Sequence, residues 1–195
     1  MTRIGIILGS TRPGRRGDQV ARWVLDHAAG RTDAEFALVD LLDYPLPLLN
    51  EPRPAMFCAD GGYEHEYTRA WSQAIASFDG FVVVTAEYNH GMPSALKNAL
   101  DYLFHEWANK AVGIVSYGVD GGARAAEQLR LASGILQLAD VAYQVTLSLF
   151  TEFENMATFK PSERAVQTLA STLDQVVAWS NALAPLRAAA APLAV

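Results

Sequence analysis

The sequence is poor in cysteine: Cys58 is the only one, so no disulfide bond can form within the chain. This excludes the small secreted proteins that depend on disulfide bonds for stability, and it is typical of proteins from reducing compartments. The thiol of Cys58 is expected to serve as a small apolar group rather than as a nucleophile.

Basic residues and long apolar runs are also scarce. The chain has 15 lysines and arginines against 21 acidic residues, a net charge of -6, whereas a nucleic-acid-binding protein needs a basic face. The amino-terminal apolar run from Ile4 to Gly9 is too short for the core of a signal peptide. No run approaches the roughly 20 apolar residues that span a bilayer. We therefore expect a cytoplasmic protein with neither a nucleic-acid partner nor a membrane partner.

Several catalytic motifs are missing as well. The chain has neither the lysine of a Walker phosphate-binding loop nor the Gly-x-Gly-x-x-Gly spacing of dinucleotide-binding domains, which disfavours hydrolysis of a magnesium nucleotide. Ser116 does not lie in a Gly-x-Ser-x-Gly turn, so it is not expected to be a hydrolase nucleophile. The four histidines lack the spacing of metal ligands, and we expect no metal site.

The sequence does contain short apolar runs that alternate with segments of helical periodicity. The apolar runs predict five strands, at residues 4–8, 35–40, 80–85, 111–115 and 141–149. Helices are predicted between them and after the last, at about 20–30, 66–78, 94–107, 123–138 and 163–186. This alternation predicts one α/β domain, residues 1–187, with a doubly wound parallel sheet in the strand order 2-1-3-4-5 and helices on both faces. The alanine-rich tail, residues 188–195, is expected to fray.

Three glycine-containing loops follow the first, third and fourth predicted strands. Ligands of doubly wound folds bind at the carboxyl ends of the strands, so these loops are expected to form one site. The first loop, from Leu8 to Gln19, holds three of the 15 basic residues and precedes a helix, whose first amides attract anions. Its glycines, its hydroxyls and the guanidinium groups of Arg12, Arg15 and Arg16 predict a phosphate site. The alternative is a solvated basic turn.

A proline-rich segment, from Tyr44 to Pro54, follows the second strand. Four prolines within residues 45–54 exclude a regular helix or a central strand. We expect an ordered surface loop that shapes a pocket or an interface. The aromatic cluster at residues 104–107 is interpreted as core, with a wall of the acceptor pocket as the alternative.

Together, three motifs resemble the NAD(P)H-dependent FMN reductase and quinone reductase family, over a stretch from Ile4 to about Leu149. The motifs are Gly9-Ser10-Thr11-Arg12 with Gly17, then Glu87-Tyr88-Asn89-His90-Gly91-Met92-Pro93 running into Leu96-Lys97-Asn98-Ala99-Leu100-Asp101, and Ser116-Tyr117-Gly118 with Gly121-Gly122. The combination is specific, although each motif alone is weak. The resemblance implies a flavodoxin-like fold, bound FMN and a homodimer or homotetramer.

The resemblance also implies the cofactor-binding residues. The predicted FMN phosphate segment contains Ser10, Arg12, Gly17, Asp18 and Gln19. The backbone predicted to run along the isoalloxazine ring is that of Glu87, Tyr88, Asn89, His90 and Gly91. The predicted border from the fourth strand is Ser116, Tyr117, Gly118, Gly121 and Gly122. Two residues depart from the family pattern: Ala86 stands where proline is frequent, and His90 stands where many members have a small residue.

The expected activity is hydride transfer from NADPH or NADH through FMN to a small acceptor: a quinone, an azo compound, a metal oxyanion or free flavin. Because the flavin carries the chemistry, no catalytic side chain is assigned. His90 is interpreted as a residue that lines the site, with proton delivery as the alternative. Two other functions remain open, a flavodoxin-like electron carrier without NAD(P)H turnover and an interaction protein that has lost its flavin.

Overall fold

The chain folds around a five-stranded parallel sheet. In the computed structural model, which describes residues 1–189, the strands are β1 (Thr2–Leu8), β2 (Ala34–Asp40), β3 (Gly80–Ala86), β4 (Lys110–Gly118) and β5 (Leu138–Ser148). Their order is β2-β1-β3-β4-β5, and every neighbouring pair is parallel. The predicted doubly wound sheet and its strand order are confirmed.

Five helices cover the two faces of this sheet. They are α1 (Gly17–Ala28), α2 (Glu66–Ala76), α3 (Ser94–Asp101), α4 (Ala123–Ile135) and α5 (Glu163–Ala189). One apolar core lies between the sheet and the pair α1 and α5, and a second lies between the sheet and α2, α3 and α4. Side chains alternate between the two: Ile6 and Leu8 of β1 belong to the first core, and Ile7 belongs to the second.

The central strands are buried along their whole length. Every residue of β3 and β4 is buried, as their continuous apolar sequences predict for parallel strands that are covered on both faces. Between β1 and β3 the chain order reverses, which opens a crevice at the carboxyl edge of the sheet.

The third helix is shorter than predicted, since α3 ends at Asp101 instead of continuing through residues 104–107. Two indole N–H groups bond carbonyls in its last turn: Trp71 Nε1 donates to Ala99 O at 2.8 Å, and Trp107 Nε1 donates to Leu100 O at 3.2 Å. Both indoles are fully buried. The aromatic cluster at residues 104–107 thus packs in the core beyond the end of α3, in agreement with its interpretation as core.

A small hairpin was missed by the sequence patterns. Its strands, β6 (Phe153–Glu154) and β7 (Thr158–Phe159), pair antiparallel and lie beside α1. The ring of Phe159 packs edge-on against Trp23, with 5.2 Å between ring centroids. Strands of two residues carry too little alternation to be recognised in a sequence.

The proline-rich segment contains no regular strand or long helix, as predicted. It is tied to α3 and the turn after it: Asn98 Nδ2 donates to Pro47 O at 2.7 Å, and Tyr102 Oη donates to the same carbonyl at 3.1 Å. At the end of the described chain, residues 188 and 189 belong to α5, and the rest of the predicted frayed tail lies outside the described residues. Within residues 1–189, no helix combines the length and the hydropathy that a membrane crossing requires.

Gly113 of β4 tests how tightly α5 packs on the sheet. A Cβ at this position would lie 2.7 Å from Val176 Cγ2 and 2.8 Å from Thr172 Cγ2, and both of these side chains are β-branched and stiff. We expect Gly113→Ala to lower the free energy of unfolding by about 1–3 kcal/mol, measured by urea denaturation. Gly134 lies in α4 and is the control position, because a Cβ there would have no neighbouring atom within 4 Å. Gly134→Ala should raise the free energy of unfolding by about 0.5–1 kcal/mol, since alanine favours the helix more than glycine does. Equal stability of Gly113→Ala and the unsubstituted protein would contradict this packing.

Candidate functional site

Three loops meet at the carboxyl edge of the sheet, as predicted from their positions after β1, β3 and β4. Ser10 Oγ and Tyr88 Oη share a hydrogen bond of 2.7 Å, and Glu87 N donates to Tyr117 O at 3.0 Å. These contacts join the first loop to the second and the second to β4. A cleft of about 90 Å³ lies between them, lined by Arg12, Arg15, Arg16, Ala86, Glu87, Tyr88, Tyr117, Gly118 and Leu149.

Arg15 holds the first loop in place. Its guanidinium group forms a two-pronged ion pair with Asp40 at the end of β2, with 2.8 Å between Nη1 and Oδ1. It also bonds the carbonyl of Ser10 and the carboxylate of Asp18, the latter at 3.0 Å. The donors of Arg15 are thus committed to the protein itself, and a direct contact of Arg15 with phosphate stays a prediction.

The Arg15–Asp40 pair is largely shielded from solvent, with side-chain exposures of 6% and 19%. Burial would raise the pKa of the Asp40 carboxyl, but the hydrogen bonds from Arg15 and from the Leu42 amide outweigh burial and lower this pKa below its usual value. Both partners are therefore charged at neutral pH. The sequence signal for Asp40 is an acidic residue at the carboxyl end of the neighbouring strand.

The remaining cationic group of the loop that faces solvent is Arg12. Its side chain is exposed and makes no hydrogen bond or ion pair to residues 1–189, whereas Arg16 Nε donates to Met156 O of the hairpin at 3.1 Å. Arg16 precedes the first turn of α1 without a side-chain cap, so the first amides of the helix are left for another acceptor. Arg12 and these amides form an anion-binding end of the cleft.

Gly17 brings α1 close to the sheet. A Cβ on Gly17 would lie 2.6 Å from Leu8 Cδ1 and 2.8 Å from Tyr117 Oη, so a larger residue would push the helix away. The Tyr117 hydroxyl is buried beneath this first turn and makes no hydrogen bond of good geometry among the described residues, although the Ser10 hydroxyl and the Gly17 amide lie close enough to lower its pKa. Burial is the main cause that raises its pKa, so the hydroxyl keeps its proton and can donate it to an acceptor.

The second loop is a tight turn. Tyr88 and Gly91 exchange two backbone hydrogen bonds, of 2.9 and 3.0 Å, and Asn89 and His90 between them adopt positive φ angles of 50° and 67°. The side chains of Tyr88, Asn89 and His90 are exposed, and Tyr88 lines the cleft. The carboxylate of Glu87 points away from solvent and caps α4, where it accepts from Arg124 N at 3.0 Å.

The third loop depends on two glycines with left-handed backbone. Gly121 and Gly122 have φ angles of 74° and 75°, and a Cβ on Gly122 would lie 2.8 Å from Tyr117 N. Ser116 Oγ donates to Gly121 O at 2.8 Å and closes the loop from within. The loop therefore lies flat against the end of β4 and leaves the cleft open beside Gly118.

The structure gives two predicted phosphate residues other partners. The Asp18 carboxylate pairs with Arg15 at 2.8 Å. Both the nitrogen and the oxygen of the Gln19 side-chain amide form hydrogen bonds with the hairpin. Gln19 Nε2 donates to Ala157 O at 2.9 Å, and Gln19 Oε1 accepts from Phe159 N at 2.8 Å. Both side chains brace the first turn of α1, and a direct contact of either with phosphate stays a prediction.

The cleft fits the phosphate end of FMN. It offers the guanidinium group of Arg12, which has no partner within residues 1–189, and the first amides of α1, which have no side-chain cap there. Such donors suit a single phosphate monoester. The cleft is smaller than the roughly 300–1,000 Å³ of a complete ligand pocket, so the ring of the cofactor would extend along the exposed second loop. Among residues 1–189, no group of three His, Cys, Asp or Glu side chains is arranged to hold a metal ion.

Comparisons with known proteins identify the family of the chain. The family model described as NADPH-dependent FMN reductase matches residues 2–152. An NAD(P)H-dependent FMN reductase of Schizosaccharomyces pombe is 43% identical over 136 residues, which are 70% of this chain and 68% of that protein. A quinone reductase of Escherichia coli strain K12 is 35% identical over 133 residues, or 64% of this chain and 65% of that protein.

Among solved structures, the flavoenzyme NAD(P)H:(acceptor) oxidoreductase FerB of Paracoccus denitrificans has the same fold. Its TM-score is 0.69 at 19% identity, and the match covers 93% of this chain and 98% of that chain. The flavodoxin-like fold, the family and its cofactors are as the three motifs predict. The chain belongs to the NADPH-dependent FMN reductase family and is an oxidoreductase that uses FMN with NAD(P)H as the electron donor.

Proposed function

We propose that this chain is a quinone reductase in which residues 1–187 form one FMN-binding domain. The observation that carries the proposal is the cleft lined by Arg12, Tyr88 and Tyr117 beside the start of α1. An open, flat approach to the second loop suits a planar acceptor, and the relative from Escherichia coli is named for quinones. Azo compounds, metal oxyanions and free flavin are further electron acceptors in this proposal.

Each loop has a separate task in this proposal. Arg12, Ser10, Gly17 and the first amides of α1 bind the phosphate, with Asp18 and Gln19 in support. The backbone from Glu87 to Gly91 follows the ring, and the third loop borders its other edge, through Ser116, Tyr117, Gly118, Gly121 and Gly122. One phosphate cradle corresponds to one FMN per chain.

When bound, FMN supplies the redox chemistry by taking a hydride from NAD(P)H and passing two electrons to the acceptor. The chain positions the reactants and supplies fixed backbone dipoles to the polar edge of the ring. No nucleophile is required of the protein. His90 is exposed and lies two residues after Tyr88, which lines the cleft, so its assistance in proton delivery belongs to the proposal.

A homodimer or homotetramer is also proposed. The outer face of α4 exposes Leu131 and Ile135 at 80% and 71%, one turn apart. A concavity of about 590 Å³ separates this face from α3 and is bordered by Met92 and Lys97. A second copy would cover these apolar groups and lie beside the site. The need for NAD(P)H and the unpaired Cys58 support action in the cytoplasm.

Arg12 tests the phosphate assignment. We expect Arg12→Ala to weaken FMN binding by about ten- to a hundredfold, since a lost charge-assisted hydrogen bond costs about 1.5–3 kcal/mol. Fluorescence titration of the apo-protein measures the dissociation constant. Riboflavin, which lacks the phosphate, should bind both proteins equally. Arg164→Ala removes an exposed arginine from the start of α5 and serves as the control. Unchanged FMN affinity in Arg12→Ala would remove Arg12 from the phosphate site.

The kinetic order tests the reductase activity. The sequence contains no dinucleotide-binding Gly-x-Gly-x-x-Gly loop, so NAD(P)H and the acceptor are expected to enter one cleft in succession. Steady-state rates at several fixed quinone concentrations should give parallel double-reciprocal lines. Stopped-flow measurement should record complete bleaching of the flavin absorbance by anaerobic NADPH alone. Absorbance that persists under both NADPH and NADH would favour an electron carrier instead.

Light scattering tests the assembly. The protein is expected to have at least twice the chain mass of 21.1 kDa at micromolar concentration. Leu131→Glu should shift it toward the monomer because a charge would be buried in the contact. Leu186→Glu, at an exposed position of α5 on the other face of the sheet, is the matched control and should leave the mass unchanged. A monomer in the unsubstituted protein would refute the proposed assembly.

A further inference from the structure

A second cavity lies at the opposite edge of the sheet from the FMN cleft. Its volume is about 370 Å³, within the range of small-molecule sites. It is formed where β4 begins, between the end of α2, the turn after α3 and the end of α5. The charged groups that border it are Asp79, Glu106, Lys110 and Arg187. The proposed reductase activity uses none of these residues.

Lys110 is the unusual group in this cavity. The residue is only 5% exposed, and its Nζ donates to Ile75 O at 2.8 Å and lies 5.4 Å from the centre of the Phe81 ring. No carboxylate within residues 1–189 forms an ion pair with it. A lysine ammonium has three hydrogens to donate, so one carbonyl satisfies it poorly.

The other two lysines of the chain provide the contrast. Lys97 is exposed and pairs with Asp101 at 2.6 Å, and Lys160 is exposed and pairs with Glu154 at 2.6 Å. A carboxylate partner stabilises the charged ammonium form. Lys110 alone among the three is buried and borders a cavity.

The surroundings of Lys110 favour its neutral form. Burial is the main cause that lowers its pKa, and the positive charge of Arg187 lowers it further. The carboxylates of Asp79 and Glu106 oppose this shift weakly, and the result is a pKa of about 7. Asp79 is already paired with Arg187 at 2.9 Å. Roughly half of the Lys110 amines are therefore uncharged at pH 7.

The two other titratable groups near the amine are held by neutral partners. Glu106 accepts hydrogen bonds from Tyr63 at 3.1 Å and from Ser72 at 2.6 Å. A ring nitrogen of His105 bonds Met56 O at 2.9 Å. Both side chains border the cavity, where a carboxylate and an imidazole can carry protons to and from a reacting molecule.

We propose that this cavity is a covalent binding site in which the amine of Lys110 captures small aldehydes or ketones as an imine. A lysine that is desolvated and next to another cation is the usual form of an amine nucleophile for carbonyl compounds. The cavity supplies both features together with space for a small molecule. This inference extends beyond the reductase activity and does not depend on bound flavin.

The capture step involves no redox change. The lone pair of Nζ attacks the carbonyl carbon, a C–N bond forms, and the electron pair of the C=O double bond moves to oxygen. Proton transfer gives a carbinolamine, whose hydroxyl leaves with the remaining nitrogen hydrogen as water. The products are one imine and one water, and no oxidant, reductant or third reactant is consumed.

Reductive trapping tests the proposal on the complete, unsubstituted protein. Acetaldehyde and sodium cyanoborohydride are added at pH 7, and peptide mass spectrometry follows the ethylation of each lysine over time. An ordinary lysine with a pKa near 10.4 is only about 0.04% neutral at pH 7, roughly a thousandfold less than Lys110. Burial slows access to the amine, so we expect Lys110 to react at least about tenfold faster than Lys97 and Lys160.

The pH profile separates this site from a merely accessible lysine. Because the pKa of Lys110 is lowered, its neutral fraction rises up to about pH 7 and then levels off. The neutral fraction of an ordinary exposed lysine continues to rise about tenfold per pH unit over this range. The selectivity for Lys110 should therefore fall as the pH increases from 7 to 9.

Two variants check the assignment. Lys110→Arg keeps a cation but cannot form an imine, and it should abolish the labelled peptide. Lys97→Arg is the matched control and should retain it. Equal labelling of the three lysines at pH 7, or labelling confined to Lys97, Lys160 and the amino terminus, would overturn the proposal. The labelling of the three lysines is measured in the unsubstituted protein, so the test does not depend on whether a variant folds.

Discussion

The buried ion pair between Arg15 and Asp40 is the interaction on which the geometry of the flavin site depends. It joins the loop after β1 to the end of β2, and the same guanidinium group holds the carbonyl of Ser10. Breaking a buried pair by removing one partner leaves an uncompensated charge, which costs about 3–5 kcal/mol when the pair is fully buried. Arg15 thus fixes the shape of the loop, while Arg12 is exposed. The two arginines, three residues apart, have different surroundings.

Close packing by glycine completes this arrangement. At Gly17 and Gly122 a side chain would collide with atoms of Tyr117, so helix, strand and loop meet at distances that other residues do not permit. The hydroxyl of Tyr117 is consequently enclosed under the first turn of α1, where it makes no hydrogen bond of good geometry among the described residues. A buried donor without such a bond costs free energy. The close approach of helix and strand is therefore obtained at a small cost in stability.

The sheet and the three loops could be predicted because they follow from local patterns: apolar runs, helical periodicity and glycines at strand ends. The different surroundings of Arg12 and Arg15 could not, since they depend on Asp40, which comes 25 residues after Arg15 and is adjacent only once β2 pairs with β1. The end of α3 was missed for a related reason, because indoles from outside the helix take its last carbonyls. The burial of Lys110 could not be predicted either, because a lysine next to a predicted strand is normally exposed. Long-range partners, rather than residue types, decided each of these features.

The bracing of Gln19 by the hairpin has a consequence for how the protein is made. Its two amide contacts span 138 and 140 residues of sequence, so the first turn of α1 reaches its final anchorage only after Phe159 has been synthesised. Contacts this far apart form late, because the intervening chain must first be ordered. A nascent chain that has completed β1 to β4 therefore has most of the residues that line the cleft, but the first turn of α1 still lacks these two contacts. The anchorage of this turn depends on nearly the whole domain having been synthesised.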